Sequence, residues 1–290
     1  MADDKATTRA KLRLIEGGAS ITTEPVENPG YLHTVLAQCG MPRRKIEGHI
    51  YERTNGNVSL LMTAGRLWNE AAGEWQPQPL PYGTKPRLVM IYLSAEAVRK
   101  RSRVVDVGHS VREFLMRLGI SINGKEHAAF LRQLRALAAC DMRLGMGRRT
   151  IMDAKPISVF EMAPNGPDGQ RSLWPGTVTL SDAFFRSLID AAVPLDMQAI
   201  AHLKHSALAL DMYAWLAHRL HRVQAQTGEP ISWIALQAQF GEYRNTKDFR
   251  REAMEALAAV RVVYPAAHIE PIRGGLRLLP SPPPVPPSYQ

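Results

Sequence analysis

Apolar and polar positions follow one arrangement twice along this chain. The first copy reads Phe114-Leu-Met-Arg-Leu-Gly119, a polar turn, then a helical stretch from Glu126 to Cys140 that closes on Ala136-Leu-Ala-Ala139. The second reads Leu236-Gln-Ala-Gln-Phe-Gly241, a polar turn, then Lys247 to Val260, closing on Ala256-Leu-Ala-Ala259. Each copy runs on into a strand-like stretch, Met142 to Leu144 and Val262 to Tyr264. The pattern predicts a short helix, a turn, a second helix and a β-hairpin, two times over.

Around these copies the pattern is uneven. Residues 1–40 are polar and rich in Gly and Thr, which predicts a mobile arm. Asn57 to Ala64 reads as a strand and Asn69 to Pro81 as a loop. Thr84 is placed to cap a helix running to about Lys100, with Pro86 in the first turn where its missing N–H costs nothing. Arg103 to Val107 reads as a short strand, and Ser110 caps a helix from Val111 to Leu118. Further strands are predicted at 141–149, 156–163 and 173–180. Ser181 caps Phe184 to Ala191. Asp196 to Val223 carries two apolar stripes at helical spacing, which predicts one long helix buried nearly all round. Pro280 to Pro287 reads as a polyproline II tail without packing.

Charge changes this picture. The chain holds 36 Lys and Arg against 27 Asp and Glu, a net charge of +9. Between Lys85 and Arg149 stand 14 basic and 5 acidic residues, so the whole excess lies there. A polyanionic partner fits such a balance. On a helical wheel Lys247, Arg250 and Arg251 share about 100° of one face, while Phe249, Ala253, Ala256, Leu257 and Val260 lie opposite. Asn245 or Thr246 can cap that helix. Arg244 lies in the turn before it and Arg273 at the tip of the hairpin after it. In the first copy Lys125, Arg132 and Arg135 share a face, and Arg148 and Arg149 fall on the following hairpin. A cationic face near a helix N-terminus suits the major groove of duplex DNA, with hairpin arginines on phosphates. The expected fold class is α+β and helix-rich: two tandem winged helices, at 41–180 and 181–280, between an arm at 1–40 and a tail at 281–290.

Several chemistries are not supported. No phosphate-binding Gly-x-x-x-x-Gly-Lys-Ser/Thr loop occurs. His202 and His205, and His218 and His221, form two i,i+3 pairs about 20 Å apart along a helix, too far to share one metal. Cys39 and Cys140 are the only cysteines, too few for a metal site or a disulfide framework, and Cys140 sits on an apolar helix face. No catalytic residue, cofactor or metal is expected. Met1-Ala-Asp-Asp-Lys5 has no apolar leader and no stretch reaches bilayer-spanning length, so a cytoplasmic protein without membrane contact is expected.

The residues carry a family resemblance. LPYGTKPRLVMIYLSAEAVRK (80–100), VPLDMQAIAHLKHSALALDMYAWLAHRLH (193–221), ISWIALQAQFGE (231–242), FRREAMEALAAVRVVYPAA (249–267) and GGLRLLPSPPPVP (274–286) resemble, in this order, the RepA-type plasmid replication initiators. The resemblance implies tandem winged helices that bind iteron repeats at a plasmid origin, promote its opening, and recruit a host initiator and the replicative helicase. It also implies homodimers that repress their own promoter. Lys247, Arg250 and Arg251 would then read bases, with Arg132, Arg135, Arg148 and Arg149 nearer the backbone. A transcriptional repressor without initiation activity is the competing expectation.

Overall fold

The computed structural model describes residues 27–69, 72–147, 149–151, 155–162, 174–241, 243 and 245–286. The chain divides into two units, Tyr31–Ala192 and one formed from Val193 onward together with the described residues up to Gly30. Both mix helices with small antiparallel sheets.

The first unit begins with β1 (Gly30–His33) and the short helix α1 (Thr34–Gln38). Val35, Leu36, Ala37 and Cys39 are buried, so residues 31–40 belong to a core and not to an arm. The polar composition of the first 26 residues, which lie outside those described, concealed this short apolar run. There follow β2 (Ile50–Asn55), β3 (Val58–Thr63), β4 (Arg66–Asn69) and β5 (Glu74–Pro77). The expected loop from Asn69 to Pro81 therefore holds one strand of a hairpin. Next come α2 (Thr84–Lys100), β6 (Val104–Asp106), α3 (Val111–Arg117) and α4 (Gly124–Ala139). The unit ends with β7 (Asp141–Met146), β8 (Arg149–Ile151), β9 (Val159–Met162), β10 (Pro175–Thr179) and α5 (Asp182–Ala191).

Helix α2 is the spine of this unit. Its middle, Leu88 to Ala97, is buried at every position but Tyr92. Gly83, at φ 83°, takes the capping position expected of Thr84, which becomes the first helical residue. Arg87 is buried too, and its guanidinium donates to the carbonyls of Pro42 at 2.9 Å and Gly83 at 2.7 Å, which offsets the cost of burying the charge. Phe114 of α3 centres an aromatic cluster, with ring centroids 5.1 Å from Tyr92, 5.7 Å from Phe130 and 5.6 Å from Trp174. Edge-to-face pairs with Tyr92 and Phe130 and a tilted one with Trp174 join α2, α3, α4 and the approach to β10. Helix α5 closes on the same unit: Ser187 Oγ lies 2.8 Å from Nε2 of the buried His33, and Phe184 packs on that ring. The boundary between units thus falls after α5, where a break at 180/181 was expected.

Sheet topology corrects the first hairpin. Strand β7 does not fold back beside α4 as a wing. It pairs with β3 and β8 in a sheet of order β2-β3-β7-β8. The hairpin that returns to β6 is β9–β10, in the order β6-β10-β9. An alternating stretch directly after a helix looks the same whichever sheet it joins, and this one joins strands 80 residues earlier in the chain.

The second unit runs β11 (Ala192–Leu195), α6 (Met197–Leu203), α7 (Ala207–Arg219), β12 (Glu229–Ser232), α8 (Trp233–Phe240), α9 (Thr246–Val263), β13 (Ile269–Ile272) and β14 (Gly275–Leu278). The single long helix expected from Asp196 to Val223 is broken. Ser206 Oγ accepts the Ala209 N–H at 3.2 Å and starts α7 anew. The stripe Leu203, Ala207, Leu210 keeps helical spacing across the break, so hydrophobic period alone did not reveal it. Every residue from Leu208 to Ala217 is buried, as the stripes predicted. Val262 and Val263 are the last turn of α9, not a strand, because Val260 and Val263 continue its buried face. The sheet order is β12-β14-β13. The proline-rich tail is packed as far as it is described. Ser281 and Val285 are buried, Tyr264 Oη donates to Pro282 O at 2.6 Å, and Ser281 Oγ accepts the His268 N–H at 3.0 Å.

Candidate nucleic-acid interface

Helix α9 has one buried and one charged face. Phe249, Ala253, Ala256, Leu257 and Val260 are buried, and Lys247, Arg250 and Arg251 are exposed. The wheel drawn from sequence therefore matches the structure. Asn245 is the cap: its Oδ1 accepts the Asp248 N–H at 2.9 Å and its Nδ2 donates to Asp248 Oδ2 at 2.9 Å. Two acids near the cationic face are thereby engaged, since Tyr243 Oη also donates to Glu252. The N-terminal end of an 18-residue helix adds its own partial positive charge there.

The turn from α8 into α9 is held by three contacts. Thr246 Oγ1 donates to Gln237 Oε1 at 2.6 Å, and Gln237 Nε2 donates to Tyr243 O at 3.2 Å. At Gly241 a Cβ would stand 2.1 Å from Gln237 O, so no other residue fits this approach. Arg244 lies outside the described residues.

Trp233, the first residue of α8, joins helix to hairpin. The Arg250 guanidinium lies 5.8 Å from its ring centroid. Its backbone N–H donates at 2.9 Å to Gly274 O, in the hairpin turn that carries exposed Arg273. Gly274 takes φ 87°, and at Gly275 a Cβ would meet Ile231 O at 2.0 Å, which explains the Gly-Gly pair after Arg273. Arg273 and Arg250 are thus brought to one region through one tryptophan. The sequence reading missed Trp233, whose ring meets Arg250 only because α8 and α9 come together in space.

In the first unit, Lys125, Arg132 and Arg135 are exposed on α4 over buried Phe130, Leu134, Leu137 and Ala138. Asn123 caps the helix, its Oδ1 accepting the Glu126 N–H at 2.9 Å. Other cations of the basic stretch are engaged within the unit. Lys85 pairs with Glu126 at 2.8 Å, and Arg117 pairs with Glu113 at 2.6 Å while donating to Tyr92 Oη at 3.0 Å. Arg148 lies outside the described residues. Arg149 opens β8 on the β7–β8 hairpin that follows α4, and that hairpin belongs to the four-stranded sheet and not to the sheet of β6.

One histidine of each pair turns to its own helix: His202 Nδ1 lies 2.8 Å from Gln198 O and His221 Nδ1 3.0 Å from Ala217 O. Among the described residues no group of three or more His, Cys, Asp or Glu could hold a metal ion. Burial pushes the thiols of Cys39 and Cys140 up to about 12, so both stay protonated. Among the described residues no helix is long and apolar enough to cross a membrane.

Each unit thus carries one helix with exposed basic side chains, Lys125, Arg132 and Arg135 on α4 and Lys247, Arg250 and Arg251 on α9. Residues 80–235, just over half of the chain, match the family described as "Plasmid encoded RepA protein", and the chain belongs to this family of plasmid replication initiators. Its fold is similar to that of domains 2 and 3 of RctB, at 11% identity and a TM-score of 0.50 over 78% of this chain and 83% of that one. A second RctB structure of domains 2–3 aligns at 9% identity with a TM-score of 0.46, over 78% of this chain and 82% of that one. No curated protein matches the sequence. The family match spans α2 to the start of α8, so α9 and its hairpin lie beyond it.

Proposed function

We propose that the chain is a non-enzymatic plasmid replication initiator whose two units are winged helices, the second reading iteron repeats at the origin. The observation that carries this is the α9 surface: Lys247, Arg250 and Arg251 exposed over a buried apolar face, with Trp233 linking Arg250 to the Arg273 turn. Major-groove entry by α9 would let Arg250 pair bidentately with a guanine, and Arg273 would reach a phosphate. Lys125, Arg132 and Arg135 of α4 would add backbone contacts that hold register without reading sequence. On this reading the bound protein promotes origin opening and recruits a host initiator and the replicative helicase, acts as a homodimer in self-repression, and works in the cytoplasm without a cofactor.

Two measurements test it. Anisotropy titration of a labelled origin-repeat duplex against scrambled duplex, over a salt series, should give sequence preference and a slope set by the phosphates contacted. Replication of an origin plasmid in cells supplied with the protein then separates an initiator from a repressor, because a repressor would bind the repeats and leave the plasmid unreplicated.

A further inference from the structure

Of the five tryptophans, Trp68 and Trp75 are exposed, and both stand on the β4–β5 hairpin. Its register pairs Arg66 with Pro77, Leu67 with Gln76, Trp68 with Trp75 and Asn69 with Glu74. Directly opposed residues of an antiparallel pair share a face, and faces alternate along each strand. One face therefore presents Arg66, Trp68, Trp75 and Pro77, all exposed; the other carries Leu67, Asn69, Glu74 and Gln76, of which three are half-buried. The indoles stand 52% and 58% exposed with centroids 5.7 Å apart, edge to face. Exposed indoles cost free energy unless something covers them.

The hairpin is firmly mounted. Gly65 approaches the end of α4 so closely that a Cβ would lie 2.0 Å from Ala139 O. Gln78 N–H donates to Gly65 O at 2.9 Å and closes the base. Gly73 N–H donates to Asn69 O at 2.8 Å near the tip. The hairpin also lies before residue 80, outside the family match, so it is a feature of this chain beyond the matched segment.

We infer that this face binds single-stranded DNA, with the two indoles stacking on bases and Arg66 meeting a phosphate. Charge points to this occupant: the only cation of the four-residue face is Arg66, and among the described residues of the hairpin the one acid, Glu74, lies on the opposite face. Aromatic platforms beside basic groups bind single strands without needing a particular sequence, because every base has a π face. Area points the same way. Two half-exposed indoles offer roughly 250 Å² at ~150–250 Å² per aromatic side chain. A stable contact between protein copies needs about 800 Å² per partner. This deepens the origin-opening reading, since opened duplex exposes single strands.

The test uses the full-length protein, a labelled oligodeoxythymidylate long enough for a site of ~4–16 nucleotides, and in parallel the origin-repeat duplex. Trp68→Ala/Trp75→Ala should weaken oligonucleotide binding about tenfold or more, at ~1–3 kcal/mol per stacked base, and leave duplex affinity within about twofold. Trp68→Phe/Trp75→Phe keeps a ring pair on the hairpin and should retain most of the binding. Equal oligonucleotide affinity for wild type and the double Ala variant overturns the proposal. So does a dimer-to-monomer shift on sedimentation of that variant, which would make the face a contact between copies. Loss of duplex binding by the wild type would count against the α9 reading alone.

Discussion

The two units run through the same elements in the same order, and their difference lies in what is inserted. In each, a long buried helix is followed by a strand, two helices and a hairpin whose second strand takes the middle of the sheet: β6-β10-β9 in one, β12-β14-β13 in the other. In the second unit α9 passes straight into β13. In the first, β7 and β8 leave for another sheet before β9 begins. Cations differ as well. Many in the first unit are consumed by structure, as with Arg87 on backbone carbonyls and Arg117 on Glu113. On α9 the charged face stays exposed and one of its arginines is laid on an indole. A surplus of charge in a stretch of sequence is therefore a poor guide to which unit would read DNA.

The largest expected effect tests whether the units are thermodynamically separate. Phe130→Ala and Phe249→Ala each remove a fully buried ring and should cost about 3–5 kcal/mol. In urea unfolding followed residue by residue by hydrogen exchange, each should lower protection in its own unit only. Equal loss in both would show one cooperative body.

Acid should strain the first unit at a known place. Burial lowers His33 to about 4. Its Nδ1 accepts the Val35 N–H at 3.1 Å, so protonation there would set two hydrogens against each other. The folded value lies below the unfolded 6.5, so the unfolded chain takes up the proton first. The stabilisation, up to about 3 kcal/mol, is full above pH 6.5 and is lost as pH falls towards 4. His218 in the second unit is lowered to about 4 by the same cause. Urea midpoints measured from pH 7.5 to 4 should fall in both units, and a flat profile in either would remove its histidine from the account.

Reading and clamping should separate next. Arg250→Ala is expected to cost about 1–3 kcal/mol on the preferred site and relax discrimination at one base pair. Arg135→Ala should weaken all duplexes equally and reduce the salt slope by about one phosphate. Competition titrations with single-base variants of the repeat check both, and reversed outcomes would exchange the two roles. The smallest effect is Trp233→Leu, which removes the stack under Arg250 and should weaken specific binding by about 0.5–1 kcal/mol.

Features set by neighbours in sequence were legible. Ser110, Ser181 and Asn245 cap where their spacing to the next apolar run predicts, and the α9 wheel sorts buried from exposed residues correctly. Features set by distant partners were not. Nothing around Met142 reveals that β7 pairs with β3, and Ser206 breaks a helix across which the stripe Leu203, Ala207, Leu210 runs unchanged. The proline tail has the composition of a free end, yet Tyr264 and His268 hold it. The α9 part of the candidate site was readable because a one-sided amphipathic helix states its own orientation. Trp233 was not, because its role depends on two elements meeting in space.

The middle position of β14 has a consequence for synthesis. Strands β12 and β13 touch only through it, and it is the last of the three to be made. Until residues 275–278 clear the ribosome, the edges of both outer strands stay open, and this sheet cannot close. The first unit waits in the same way for β10, about 70 residues after β6. At ~5–20 residues per second, each nascent unit spends seconds with unpaired strands. A ribosome that stalls before either middle strand would leave open edges and no assembled surface.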